Sequence, residues 1–556
     1  MKKFFTLVAA ALCAMNMAAK DYTGNMSVTV NEAVTTKLQN KSITVEKQDN
    51  GKYHLSVKNF MFGQINVGTI DLKDIEPIEG STDALVDLEY NGDITIAKNE
   101  DGTGMFAGQT MKLDLSVAFT DQVMNADMNI EAKAMGQTID VEFLSNGTQI
   151  PNSDMEEFHT AKAIVDYYDV PTEFTSQEPN HWHSFTTATG GLANAVQVNK
   201  QIDESTDVRP GSEGKKSAKI TSAIVLGFQP ANGTLTTGQL QAAGMTPEDP
   251  NNCAFLDLSN EAKDDNGDPF YTTIVTRPDA IKAWVKFVPG GEKADYEIKK
   301  LYAGTGEYSY NASVKAVITD GTRYQDPEDT SKEYKNIVGV AKQEIETKNG
   351  EWQEITVPFD YKTYAANNAE TKAILVNFGT NATPGCASSN ADKPDQLYVD
   401  DVELVYNNDM TSLKFKGEDT RFTETEDYDG YAMVKVEKDE TTSLKDFEVE
   451  TNGAGAYVVK TWEKNTENEN LGWELHIYVI KADLSDTKEY CVSAGLGGFK
   501  PAEKETTGIN NATTITLPSG VQAIYNLAGQ QVSSMQKGQV YVVKYTNGET
   551  KKMIKK

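Results

Sequence analysis

From about residue 21 to 147, apolar residues recur at every second position. Ile43 and Val45 precede Asp49-Asn50-Gly51, and Tyr53, Leu55 and Val57 follow it at the same spacing. A period of two belongs to a strand with one buried face, and Asn-Gly between two such runs predicts a hairpin. Leu113, Leu115, Val117 and Phe119 repeat the pattern, as do Ile139, Val141 and Phe143. No helical period interrupts it. Many short antiparallel strands of this kind predict a small barrel over 20–147, because closure leaves no open edge.

Residues 148–170 are polar and acidic and read as a linker. From 171 to 406 the runs SAKITSAIV, AIKAWVKFVP, NASVKAVITD, WQEITVPFDY, KAILVNFGT and LYVDDVELVY alternate with long loops rich in Gly, Asn, Asp and Pro. Such spacing predicts a large two-sheet jelly-roll sandwich. Residues 407–505 alternate again in YAMVKVEKDE, AGAYVVKTWEKN and WELHIYVIKAD, predicting a small β-sandwich. The last segment, 506–556, reads as a compact β-meander. The expected class is therefore all-β throughout.

Composition narrows the partners. The 556 residues carry 52 Lys and Arg against 82 Asp and Glu, a formal charge of -30. A basic footprint for nucleic acid or anionic lipid is missing. The opening MKKFFTLVAAALCAMNMAAK has two lysines, an apolar run and small residues at Ala18 and Ala19, the layout of a secretory signal peptide over 1–19. Its apolar run is too short to span a bilayer, and no later run is long enough. Cys13 follows Leu12 without polar residues behind it, which weakens a lipoprotein reading. Three cysteines remain after processing. Cys491 reads as a small buried side chain, and a pairing of Cys253 with Cys386 is left open.

Three resemblances refine this. DYTGNMSVTVN, SITVEKQDNGKYHLSVKNFMFGQINVGTIDL and IEAKAMGQTIDVEF resemble the calycin-like (lipocalin-like) domains of exported Bacteroidetes proteins. That implies an eight-stranded barrel able to hold a small apolar ligand. Met105, Met111, Met124, Met128 and Met135 either line such a cavity or fill it, and filling is the preferred reading. NHWHSF, KKSAKITS, ANGTLTTG, TRPDAIKAWVKFVPG, GEWQEITVPFDY and QLYVDDVELVY resemble the carbohydrate metabolism domain of gut Bacteroidetes. IYNLAGQ, the KGxYVV-type run from Lys537 to Val543 and the terminal lysines resemble C-terminal sorting domains. The last implies type IX secretion machinery as a partner and a secreted or outer-membrane surface location.

Candidate chemistry is sparse. In QLYVDDVELVY, strand alternation puts Asp400 and Asp401 on opposite faces, so they are expected to be architectural and not a catalytic pair. The last strand is also similar to those closing jelly-roll binding modules, where a carboxylate often serves a structural Ca2+. Asp400 and Asp401 with Glu173 and Glu178 are the candidate ligands, with loop carbonyls completing the shell. His181 and His183 would share a strand face but lack a third ligand. DDNGD at 264–268 starts like a calcium loop yet has Pro269 at the glycine position, and reads as an acidic turn. DFEVE places Asp446, Glu448 and Glu450 on one strand face, read as solvated. No nucleophile elbow, phosphate loop or zinc helix occurs.

Sugar recognition calls for aromatic faces with polar neighbours. Trp182, Tyr271 and Tyr324 border polar loops and are the candidate glycan-binding residues, whereas Trp284 and Trp352 lie in apolar runs and are assigned to the core. The sequence thus points to an exported, multidomain, non-catalytic glycan-binding protein. A glycoside-active enzyme and an adhesive surface protein without a small ligand are the alternatives.

Overall fold

The computed structural model describes residues 19–62, 65–78, 81–82, 84–133, 136–167, 170–291, 309–437, 439–466, 468–502, 510–511, 521–526, 531–532, 540–545 and 550–554. Most of the expected signal peptide and much of the sorting motif lie outside the described residues. The chain is all-β, as the alternation requires.

Eight strands open it: β1 (Lys20–Val30), β2 (Val34–Lys47), β3 (Tyr53–Phe62), β4 (Ile65–Ile75), β5 (Val86–Thr95), β6 (Thr110–Phe119), β7 (Met124–Ala132) and β8 (Gln137–Ser145). They pair in the order β4-β3-β2-β1-β8-β7-β6-β5. Near the ends of that order, Thr69 bridges Ala97 and Pro77 bridges Leu88, so the barrel nearly closes. Gly24 permits the close β1–β8 approach, since a Cβ there would sit 2.1 Å from the Leu144 carbonyl oxygen. Leu55, Leu88, Leu113, Phe119 and Phe143 pack the interior, with Tyr22 and Tyr53 against Phe119. Eight strands leave an interior that side chains can fill, and here Met111, Met124 and Met128 join the packing. Met105 does not; it is exposed.

The stretch read as a linker is in large part a strand. β9 (Phe158–Tyr167) and β10 (Val170–Pro179) form an antiparallel ribbon that crosses the expected boundary at 170. Its buried positions include Ala161 and Ala163, whose small side chains hide the alternation.

Beyond it lie the two main sheets of the larger sandwich. One runs Ile202–Ser205, Ser217–Thr221, Gln396–Val405, Ala280–Val288 and Gln353–Pro358; the other runs Thr234–Thr236, Ala373–Gly379, Ala312–Thr319 and Ile337–Ile345. Ile281, Ala283, Val285 and Phe287 from the first sheet meet Val314, Ala316, Val376 and Phe378 from the second. In the smaller sandwich Met410–Phe415 pairs with Phe447–Thr451, and Gly430–Met433, Thr487–Ser493, Trp473–Ile480 and Tyr457–Lys464 lie side by side. The described residues up to 502 pack as one unit, and those from 510 to 554 form a second. In that second unit Gln531–Val532, Val521–Asn526, Val540–Tyr545 and Thr550–Ile554 are neighbours in that order. Among the described residues no helix is long and apolar enough to cross a membrane. Cys253, Cys386 and Cys491 are buried thiols, so the Cys253–Cys386 pairing does not form.

Candidate functional site

Asp400 and Asp401 sit at a β-bulge. Asp400 pairs with Trp284 and Glu403 with Lys282, so two residues, Asp401 and Val402, stand opposite Ala283. Asp401 adopts φ 43°, the left-handed conformation a bulge accommodates. Strict alternation is thereby broken, and the expected opposite-face placement fails. Both carboxylates reach the same residue: the Arg209 backbone N–H donates to Asp400 Oδ2 at 3.1 Å, and Arg209 Nε donates to Asp401 Oδ2. The Arg209 guanidinium also lies 5.6 Å from the centre of the Trp284 ring.

Asp400 is sealed, with 0% exposure, and its Oδ1 has no hydrogen-bond partner. Burial pushes its carboxyl up to about 6, with the Arg209 N–H pulling the other way. A raised carboxyl favours the folded state while protonated. Its contribution is therefore complete below about pH 4 and fades as pH rises through about 6. Asp400→Asn is expected to stabilise the chain at pH 7 by about 1–2 kcal/mol, a value reduced for screening on the Arg209 side. Melting temperature against pH checks this. The wild-type profile should fall between pH 4 and 6 relative to the variant, and parallel profiles would reject it.

Outside this sealed acid lies an open groove of about 540 Å³, lined by Trp284, Arg209, Lys282, Glu354, Asp401 and Glu403, with Gln149, Ser153, Asp154 and Val402. Three ion pairs line it: Lys282 with Glu403, Arg209 with Asp401, and Asp154 with Lys37 from the barrel. Further along the same sheet face Trp352 meets Tyr398 at 6.3 Å between ring centres. Trp352 Nε1 donates to Asp207 Oδ1 at 3.0 Å, and Lys286 Nζ lies 4.9 Å from the Tyr398 ring.

This reverses the aromatic assignment. Trp182 and Tyr324 are fully buried and cannot stack on a sugar; Trp182 lies 6.1 Å from Phe378 in the core. Tyr271 is half-buried against a smaller apolar cluster. Polar neighbours in sequence misled here, because the segment carrying Trp182 turns inward. Trp284 and Trp352 are partly exposed. Parity could have found Trp284: with Ile281, Ala283, Val285 and Phe287 inside, position 284 must point out. The same parity places Glu354 outward, with Ile355 and Val357 inside, whereas Arg209 carries no such signal because it arrives from a loop.

The proposed calcium ligands divide between two places. Glu173 is exposed beside Lys162, 3.8 Å away. Glu178 is buried and accepts from the Ser184 N–H at 2.8 Å and from the Ser184 hydroxyl. Among the described residues no hydrogen bond or ion pair joins either glutamate to Asp400 or Asp401. Burial holds the Glu178 carboxyl above its usual range, against the pull of His183 and Ser184.

Glu178 instead belongs to a sealed cluster built from β9, β10 and the DDNGD turn. His159 Nε2 lies 4.0 Å from Glu178 Oε2 and 3.5 Å from Asp264 Oδ2, and His183 Nε2 lies 3.3 Å from the same Asp264 oxygen. His181, at φ 66°, faces Asp268 at 3.2 Å. The His181/His183 pair therefore engages two different carboxylates. Asp264 Oδ1 accepts from the backbone of Asn266 and Asp268, so DDNGD is a tight acidic turn, as read. Glu448 and Glu450 are exposed, as read, but Asp446 is not on that strand face: it ends the 3-10 turn Leu444–Asp446, where its carboxylate accepts from the Ser443 N–H at 2.9 Å.

Comparison with solved structures finds a "putative glycoside hydrolase" from Bacteroides vulgatus at 15% identity and TM-score 0.28, covering 46% of this chain and 97% of that one. A second from Bacteroides thetaiotaomicron has 12% identity and TM-score 0.29, covering 59% and 89%. A "putative outer membrane protein" from Bacteroides fragilis has 11% identity and TM-score 0.17, covering 65% and 96%. No curated protein matches this chain. Residues 19–146 match the family model of the calycin-like beta-barrel domain, and with its eight-stranded, nearly closed sheet this N-terminal segment is a calycin-like barrel.

Proposed function

We propose that this is an exported protein that binds carbohydrate at the cell surface, without cleaving it, on the outer face of the larger sandwich. The observation that carries the reading is the open groove holding Trp284 amid paired carboxylates and cations. An aromatic side chain offers C–H surfaces a stacking partner, and ion-paired side chains offer fixed donors and acceptors for hydroxyls. Hydrolysis would need a carboxylic acid held neutral at the sugar. The carboxyl pushed toward neutrality here is Asp400, which is sealed from the groove, while Asp401 and Glu403 each face a cation. That contrast favours binding over cleavage.

Affinity electrophoresis of the full chain against soluble plant and host polysaccharides tests this. At least one should retard the protein, and Trp284→Ala should weaken that binding by roughly 30-fold, as expected for an aromatic anchor. Unchanged retardation of the variant, or no retardation on any glycan, would remove the proposal. Release of reducing ends that disappears in Glu403→Gln would replace it with an enzyme.

A further inference from the structure

The smaller sandwich carries a separate group of buried donors. On Trp473–Ile480, Leu475, Ile477 and Val479 face the apolar core, so Glu474 and His476 share the opposite face. His476 stands directly across from Cys491 on the adjacent strand. A carboxylate oxygen of Glu474, a ring nitrogen of His476 and Cys491 Sγ all lie within 4.8 Å of one another. All three residues are buried, Glu474 to 2% exposure, and Glu474 Oε1 has no hydrogen-bond partner. Glu474 Oε2 is fixed by Asn465 Nδ2 at 2.8 Å.

The surroundings fit a cation. Glu489 Oε1 lies 2.8 Å from His476 Nδ1, which leaves Nε2 for another partner. A carboxylate on the far nitrogen is the usual way a ligating imidazole is oriented. Glu463 pairs across strands with Glu474, so three carboxylates and a thiol gather about one imidazole. Tyr428 covers the group, its ring 5.7 Å from that of His476.

We propose that Glu474, His476 and Cys491 bind one Zn2+ ion, which staples the two strands. Mixed sulfur, nitrogen and oxygen donors suit zinc, whereas calcium and magnesium take oxygen alone. Tetrahedral zinc spaces its donors roughly 3.5 Å apart, so small side-chain rotations close the site, with water as the fourth ligand. Binding displaces the thiol proton to solvent and forms the thiolate–metal bond.

The test uses the full chain, stripped with chelator and titrated with Co2+ and then Zn2+. One equivalent of Co2+ should give a thiolate-to-cobalt charge-transfer band that Zn2+ abolishes, and Zn2+ should raise the melting temperature. Cys491→Ser should lose the band. Glu489→Gln should keep it while weakening affinity by roughly 10–100-fold. In case Cys491→Ser fails to fold, combining Cys13→Ser, Cys253→Ser and Cys386→Ser leaves Cys491 as the sole thiol, and the band should persist. No band in the folded wild-type chain, a band surviving Cys491→Ser, or its loss from a folded chain with Cys491 as sole thiol overturns the assignment.

Discussion

Replacing Trp182 by alanine is expected to cost about 3–5 kcal/mol of folding stability, the range for removing a large aromatic side chain from a packed core. Trp182 has no exposed surface and packs among Ile202, Leu235 and Phe378. Its indole Nε1 donates to the Pro151 carbonyl at 3.3 Å, and its backbone N–H donates to the Pro179 carbonyl at 3.0 Å. The side chain thus pins the segment after the barrel to the larger sandwich. Partial relaxation around the void will set where in the range the loss falls. Chemical denaturation measures it, and Trp182→Phe should lose less because most of the volume is kept. A loss below about 1 kcal/mol would place the indole outside the core. The folded fraction of Trp182→Ala should bind glycan as wild type does, which separates it from Trp284→Ala.

Asp395→Ala is expected to be comparably damaging, by about 3–5 kcal/mol, because it strands buried donors. Asp395 is fully buried. Its carboxylate accepts from the Gly290 N–H at 2.5 Å, the Ser388 N–H at 2.8 Å and Asn381 Nδ2 at 3.0 Å. Two loops, the one after Ala280–Val288 and the one over 380–395, therefore depend on one side chain, and the buried donors of Asn381 and Ser388 have no water to turn to once it is gone. Asp395→Asn keeps one acceptor but sets an amide N–H against a donor, so it should lie between alanine and wild type. The midpoint of urea unfolding reads this directly. Asp395→Ala within 1 kcal/mol of wild type would mean that the loops rearrange to pair among themselves.

Much of the architecture was legible along the chain because a period of two survives any later packing. The barrel strands follow Ile43, Val45, Leu55, Val57, Leu113 and Phe119 closely, all of which are buried. β9 carries no clear period of two, since Ala161 and Ala163 are weak markers of a buried face. The candidate site was harder to read. Asp401 was placed by alternation, and one inserted residue in the ladder re-aimed it toward Arg209, 192 positions away. Trp284 was assigned by the hydrophobicity of its neighbours when its own parity pointed outward. Cys491 was expected to be buried and is, but its pairing with His476 is a matter of strand register.

By itself, then, the sequence determined the all-β class, the barrel and its strand periodicity, and the acidic balance of 82 against 52 that argues against polyanion binding. These are local or summed properties, and no distant contact can change them. Only the tertiary structure decided which face each carboxylate and aromatic ring occupies, that His159, His183 and Asp264 close on one another, and that Glu474, His476 and Cys491 gather behind Tyr428. Bulges, left-handed turns and cross-strand register arise from backbone pairing between residues far apart in the chain. A single-residue shift in that pairing reverses the direction of every side chain beyond it.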